Sequence, residues 1–240
     1  MNAFRLTIEL ALACCFFLMG CASTPSSSTK SSIAQPGAQS ATQPARASNP
    51  SAEAPQSLKS TGEYAEDIYD AAHASNWKLA FAKSTRLSDT SSKLGGDLQS
   101  APELNEIQSR VSTLKKDIET KQRLAAMTDA NEITRLAADL SAGFRSTLPV
   151  QVVKLDYLGR KLQIESAQGN LSSLKQTTSE IRSNWNEVKT ALEQKHASTT
   201  ANRFEAIVSN LEKATSVSSF AKLAKEELDE VDKLENAFSV

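Results

Sequence analysis

Few residues in this chain have the type and spacing to do chemistry. Two histidines each follow a carboxylate by three positions, as Asp70–His73 and Glu193–His196. On a helix that spacing puts both groups on one face, where they form half of the ligand set of a di-metal helical bundle. Asp70 and His73 extend an apolar helix seam, so they are the candidate metal pair. Glu193 and His196 sit off the seam beside a loop and read as solvated. A second constellation is Tyr157, Arg160 and Ile164, which continue another seam by steps of 3 and 4. A guanidinium and a phenol on a packed face could anchor an anionic ligand. The alternative is an internal ion pair between Arg160 and Asp156 at i−4. The acidic run Glu226, Glu227, Asp229, Glu230, Asp232 and Glu235 lacks the glycine-turned loop of a calcium site and reads as a solvated helix face. No Gly-x-Ser-x-Gly elbow or phosphate-cradling glycine loop occurs. With no nucleophile, general base and orienting group to combine, a non-catalytic protein without a cofactor is expected.

The three cysteines are Cys14, Cys15 and Cys21, all ahead of the folded part, which therefore has no disulfide or thiolate ligand. Arg5 supplies a positive start, and Leu6 to Met19 is a mostly apolar run too short to span a bilayer. The run ends in Leu18-Met19-Gly20-Cys21, which resembles the lipobox of bacterial lipoproteins. The resemblance covers about the first 21 residues. It implies cleavage after residue 20, lipidation of Cys21 and attachment to a membrane through that lipid. Ala22 and Ser23 follow, without the aspartate that commonly retains Gram-negative lipoproteins at the inner membrane. In a Gram-negative source the resemblance thus implies the outer membrane, facing the periplasm.

Composition narrows the rest. The chain has 27 basic and 28 acidic side chains, and aromatic residues make up 5%. Neither a basic footprint nor a base-stacking surface is present, which argues against nucleic acid as a partner. Residues 21–60 are rich in Ser, Ala, Pro and Gln and have almost no large apolar side chain, so this segment is expected to be a disordered tether.

From residue 61 the chain reads as helix. Leu171, Leu174, Thr178, Ile181, Trp185, Val188 and Leu192 form a seam with alternating steps of 3 and 4. Ninety-four positions earlier, Trp77, Ala80, Ser84, Leu87, Ser91, Leu94 and Leu98 repeat it with smaller side chains. Residues 230–238 match 132–140 at an offset of 98. Capping boxes at Ser60–Glu63 and Asp129–Glu132, Pro102 in a first turn and Gly95-Gly96 punctuate the pattern. The expected fold is all-α: an up-and-down antiparallel bundle of about four long, kinked helices over residues 61–240. Two loose repeats, 64–143 and 149–239, are expected within it. The expected role is that of an envelope interaction or structural module, whose partners are the membrane and other envelope proteins. A periplasmic binding module, holding a small ligand or metal between helices, is the alternative.

Overall fold

The computed structural model describes residues 52–98 and 101–239. The signal segment 1–20, Cys21 and most of the 21–60 tether lie outside the described residues.

The described residues are all-helical, with no strand beyond an isolated bridge between Glu53 and Arg145. The expected four long arms are replaced by eight helices of 15 to 24 residues and one four-residue turn. They are α1 (Gln56–His73), α2 (Trp77–Ser91), α3 (Leu94–Asp97), α4 (Pro102–Glu119), α5 (Arg123–Ser141), α6 (Val150–Gln168), α7 (Leu171–Gln194), α8 (Ser198–Lys213) and α9 (Val217–Ser239). What the sequence suggested were kinks are full reversals. Lys83 on α2 pairs with Asp67 on α1 at 2.6 Å, and Lys161 on α6 with Glu180 on α7 at 3.3 Å, so each pair of helices folds back on itself.

The physical reason lies in the turns. At Ser75, Lys121, Gly169 and His196 the backbone enters the left-handed region, with φ of 55°, 56°, 72° and 59°. In each case that residue's N–H donates three residues back. The next N–H donates five residues back, as from Asn170 to Glu165 O at 3.1 Å. This is the Schellman ending, which closes a helix and reverses the chain in two or three residues. Asn76 and Asn170 then cap the following helices through bonds of 3.2 Å from Leu79 N–H and Ser173 N–H. A kink keeps an arm whole, but a left-handed residue followed by a cap starts a new helix.

Several boundaries move accordingly. Pro55 precedes α1, which starts inside the segment read as tether, and the proposed capping boxes at Ser60 and Asp129 fall inside α1 and α5. Gly95-Gly96 lies within α3 rather than ending the first long helix. The break that the Asp129–Glu132 box would place near residue 129 falls instead at residues 120–122.

Two hydrophobic cores result. One gathers Leu58, Ile68, Leu87, Leu114 and Ile133 from the helices before residue 142; the other gathers Leu155, Ile181, Trp185, Phe204 and Phe220 from those after 149. Each is enclosed by four helices packed in a ring, α1-α2-α4-α5 and α6-α7-α8-α9, and α5 packs along α6 to join them. The seam at offset 94 is buried at Ala80, Ser84, Leu87, Ser91, Leu94 and Leu98, and at their counterparts Leu174, Thr178, Ile181, Trp185, Val188 and Leu192.

Candidate functional site

Arg160 lies where α1, α6 and α9 come together. Its side chain is 11% exposed and its Nη1 is 2.5 Å from Asp156 Oδ2 and 3.7 Å from Glu66 Oε1. The guanidinium stacks over the Tyr69 ring at 5.4 Å. The Tyr69 hydroxyl donates to Gln163 Oε1 at 2.8 Å. Two of these contacts, Glu66–Arg160 and Tyr69–Gln163, join positions 94 apart, the offset that also relates Ser75 to Gly169. Contacts between equivalent positions are what a two-fold axis produces. Side chains of α1 and α6 therefore meet near that axis, beside the packed pair α5 and α6.

Tyr157 does not join Arg160 in an anchor. It points at α5, where its hydroxyl donates to Glu132 Oε1 at 2.7 Å and its carbonyl accepts from Asn131 Nδ2 at 3.0 Å. Three residues of helix put the phenol and the guanidinium about 60° apart around the axis, enough here to aim them at different helices. Asp70 and His73 do share a face, but both are exposed at the end of α1, and the buried seam runs through Ala65, Ile68, Ala71 and Ala72. His73 stacks on Tyr69 with centroids 6.3 Å apart. Among the described residues no three His, Asp or Glu side chains converge well enough to hold a metal ion. His196 lies beyond the end of α7, in its left-handed turn residue.

The acidic run on α9 is not uniformly solvated. The buried register of α9 is Phe220, Ala224, Glu227, Val231, Leu234 and Phe238, with steps of 4 and 3, so a glutamate occupies a core position. Glu227 is fully buried, and neither of its carboxylate oxygens has a hydrogen-bond partner. Glycine at position 159 leaves it room, since a Cβ there would overlap the Glu227 carboxylate and the Leu228 side chain as they are placed. Glu230 is buried too and pairs with Lys233. The 3–4 arithmetic of the seam carried this signal. The reading of the whole run as a solvated face set that arithmetic aside, and Leu228, the apolar neighbour, is only half-buried.

Charge in this region is unbalanced. Burial pushes the Glu66 carboxyl up to about 8, against the pull of Arg160. Burial raises Asp156 and Asp70 as well, again opposed by Arg160, and raises Glu227 well above the usual range. One guanidinium faces several carboxyls, and its own affinity for a proton is strengthened: burial works against the charge, but Asp156 and Glu66 outweigh it. Beside this cluster a groove of about 530 Å³ opens between α1 and α9, with Tyr69, Asp70, His73, Ser166, Lys225 and Asp229 on its lining. Both members of the expected metal pair are on its wall.

No family model, curated protein or solved structure matches the chain. The functional reading therefore rests on these residues.

Proposed function

We propose that this chain is a bacterial lipoprotein, held to a membrane by lipid on Cys21, whose helical domain is a non-catalytic interaction module of the cell envelope. In a Gram-negative cell the domain faces the periplasm from the outer membrane. The observation that carries the anchor is Leu18-Met19-Gly20-Cys21 at the end of a short apolar run. No helix among the described residues is long and apolar enough to cross a membrane, so an anchor would have to come from elsewhere. Several acyl chains would hold the protein almost permanently, at about 0.8 kcal/mol per buried methylene.

The interaction role is supported by how the helices are spent. Two cores sit side by side, joined along α5 and α6, and the outer faces are accessible, with Leu79 and Phe81 of α2 exposed among mainly polar side chains. The turn (Ser75, Gly169), the cap (Asn76, Asn170) and the seam shared at offset 94 support reading 64–143 and 149–239 as two copies of one four-helix unit. A small-ligand module is a second reading, favoured by the groove beside Asp70 and His73.

In-cell crosslinking of the full-length protein tests the role, with a Cys21→Ser secreted form as control. A dominant envelope partner that depends on Cys21 is the expected result. Equal capture by both forms, or no capture, would count against an anchored interaction module. Incorporation of labelled palmitate, lost in Cys21→Ser, tests the anchor separately.

A further inference from the structure

Successive long helices run in opposite directions. α4 begins beside the end of α2, where Gln108 Nε2 donates to the Ser91 carbonyl at 2.6 Å, and α6 retraces α5 through Tyr157–Glu132 and Lys154–Asp139. The reversals at Ser75, Lys121 and Gly169 and the break before Val217 therefore share one end of the molecule. The chain enters α1 at Gln56, at the other end, about 27 Å away along an 18-residue helix.

The two ends differ in charge. Residues 74–82 and 120–128 form the far tip of the first bundle and include Lys78, Lys121 and Arg123, all exposed, and no acid. Asp70 on α1 and Asp117 and Glu119 on α4 belong to the last turns of their helices, where side chains lean back toward the helix start and away from the tip. Residues 168–176 and 214–222, at the same end of the second bundle, add Lys175 and Lys222 and again no acid. The entry end is balanced. There Lys59, Lys93 and Arg145 stand against Glu53, Asp97 and Glu103, and Glu53 pairs with both Lys59 and Arg145.

The same tip carries the exposed large apolar side chains of the described residues. Leu79 and Phe81, near the start of α2, are 41% and 50% exposed. Each lies about 100° around the helix from the buried Ala80, so the two flank the outward-facing Lys78 and Ala82. Helical side chains lean toward the helix start, which for α2 is the tip. The fold does not require these residues. At offset 94, α7 has Ser173 for Leu79, Lys175 for Phe81 and Gln176 for Ala82.

We propose that this tip docks on an anionic phospholipid surface, with Leu79 and Phe81 entering the interface and Lys78, Lys121 and Arg123 at the headgroup phosphates. Charge complementarity selects the partner: an acid-free, cationic end meets a negative surface. Two apolar side chains on opposite flanks of one helix do not make the core of a protein interface, which buries about 800 Å² on each partner. A bilayer has no shape to match, and it combines apolar insertion with attraction of basic side chains. The proposal goes beyond the interaction-module reading and does not depend on Cys21.

The test is tryptophan quenching of the full-length protein by vesicles of brominated phosphatidylcholine and phosphatidylglycerol. Trp77 opens α2 at the tip, whereas Trp185 is fully buried about 21 Å along α7. Quenching should fall on Trp77, vanish in Trp77→Phe and weaken as salt rises. Lys78→Gln/Lys121→Gln/Arg123→Gln should raise the lipid needed for half-maximal quenching about a hundredfold, at about fivefold per cation. Leu79→Ser/Phe81→Ser should raise it about tenfold. Both variants alter exposed side chains, so their helical circular dichroism should match that of the unaltered protein. Equal quenching by vesicles without phosphatidylglycerol would leave charge no role and overturn the proposal. So would vesicle-bound protein with Trp77 unquenched, which would put the attachment elsewhere, at the Cys21 lipid for example. A crosslink from position 81 to an acidic protein, with Trp77 unquenched, would assign the tip to that protein and overturn it as well.

Discussion

Two carboxylate sites in this molecule are opposites. On the α7/α8 hairpin, Glu205 receives Trp185 Nε1 at 2.9 Å, Lys189 Nζ at 2.9 Å and Arg182 Nη1 at 2.8 Å. Arg182 also grips Glu212 with two bonds, of 2.8 and 3.0 Å. These donors, Trp185 foremost, pull the Glu205 carboxyl down to about 2. At the α1/α6/α9 junction the acids outnumber their donors, and burial drives Glu66 up to about 8 and Glu227 well above the usual range. The same functional group staples one hairpin and burdens the other junction. What differs is the count of donors against the depth of burial. A satisfied carboxylate contributes to the fold, while an unsatisfied buried one costs stability.

Trp185→Ala should break the comparison most severely. It empties the centre of the second core, where the indole packs on Phe204 with centroids 4.7 Å apart, and it takes away the buried donor to Glu205. A loss of about 3–5 kcal/mol is expected in denaturant unfolding. Gly159→Ala comes next. Alanine gains up to about 1 kcal/mol in helix propensity, but the overlap with Glu227 and Leu228 costs about 1–3 kcal/mol. A net loss should appear as a lower unfolding midpoint, and much of it should return in the Gly159→Ala/Glu227→Ala double variant.

The comparison also has a sign. Glu205 has a lowered pKa, so its contribution is present above the unfolded value near 4.5 and is lost as pH falls toward 2. Glu66, Asp156 and Glu227 have raised values, so the native state holds protons that the unfolded chain has released. Stability should therefore fall as pH rises from about 4.5 through 8. Glu205→Gln should cost about 1 kcal/mol at pH 7 after solvent screening. Glu227→Gln should match the unaltered protein near pH 4.5 and exceed it at pH 8. Chemical unfolding at the two pH values checks both, and a shared sign for the two variants at pH 8 would dissolve the contrast. The smallest effect belongs to Asp70→Ala and His73→Ala, which sit exposed at the end of α1 and should change stability by less than about 0.5 kcal/mol.

These particulars also show how far the sequence could be read. The helical class and the seams were legible because 3–4 spacing is periodic, and every core position from Leu174 to Leu192 named from spacing is buried. The number of helices was not legible. Reversal at Ser75, Lys121 and His196 depends on a left-handed backbone at residues other than glycine, for which no side chain announces itself. At Gly169-Asn170 the residue types do mark an interruption, but a kink and a reversal look alike in one dimension. Arg160 with Asp156 could be paired from i−4 spacing alone. Its approach to Glu66 and Tyr69 could not, because those contacts join residues more than 90 positions apart. The separation of Tyr157 from Arg160 likewise depends on which neighbour each side of α6 receives.

The most direct test of the contrast is a carboxyl-detected NMR titration of the full chain, following Glu66 and Glu205 in one sample. The account predicts that Glu66 titrates near 8 and Glu205 near 2, on opposite sides of the ordinary glutamate value. Two midpoints close to that ordinary value would mean that neither donor number nor burial separates the sites, and would contradict it.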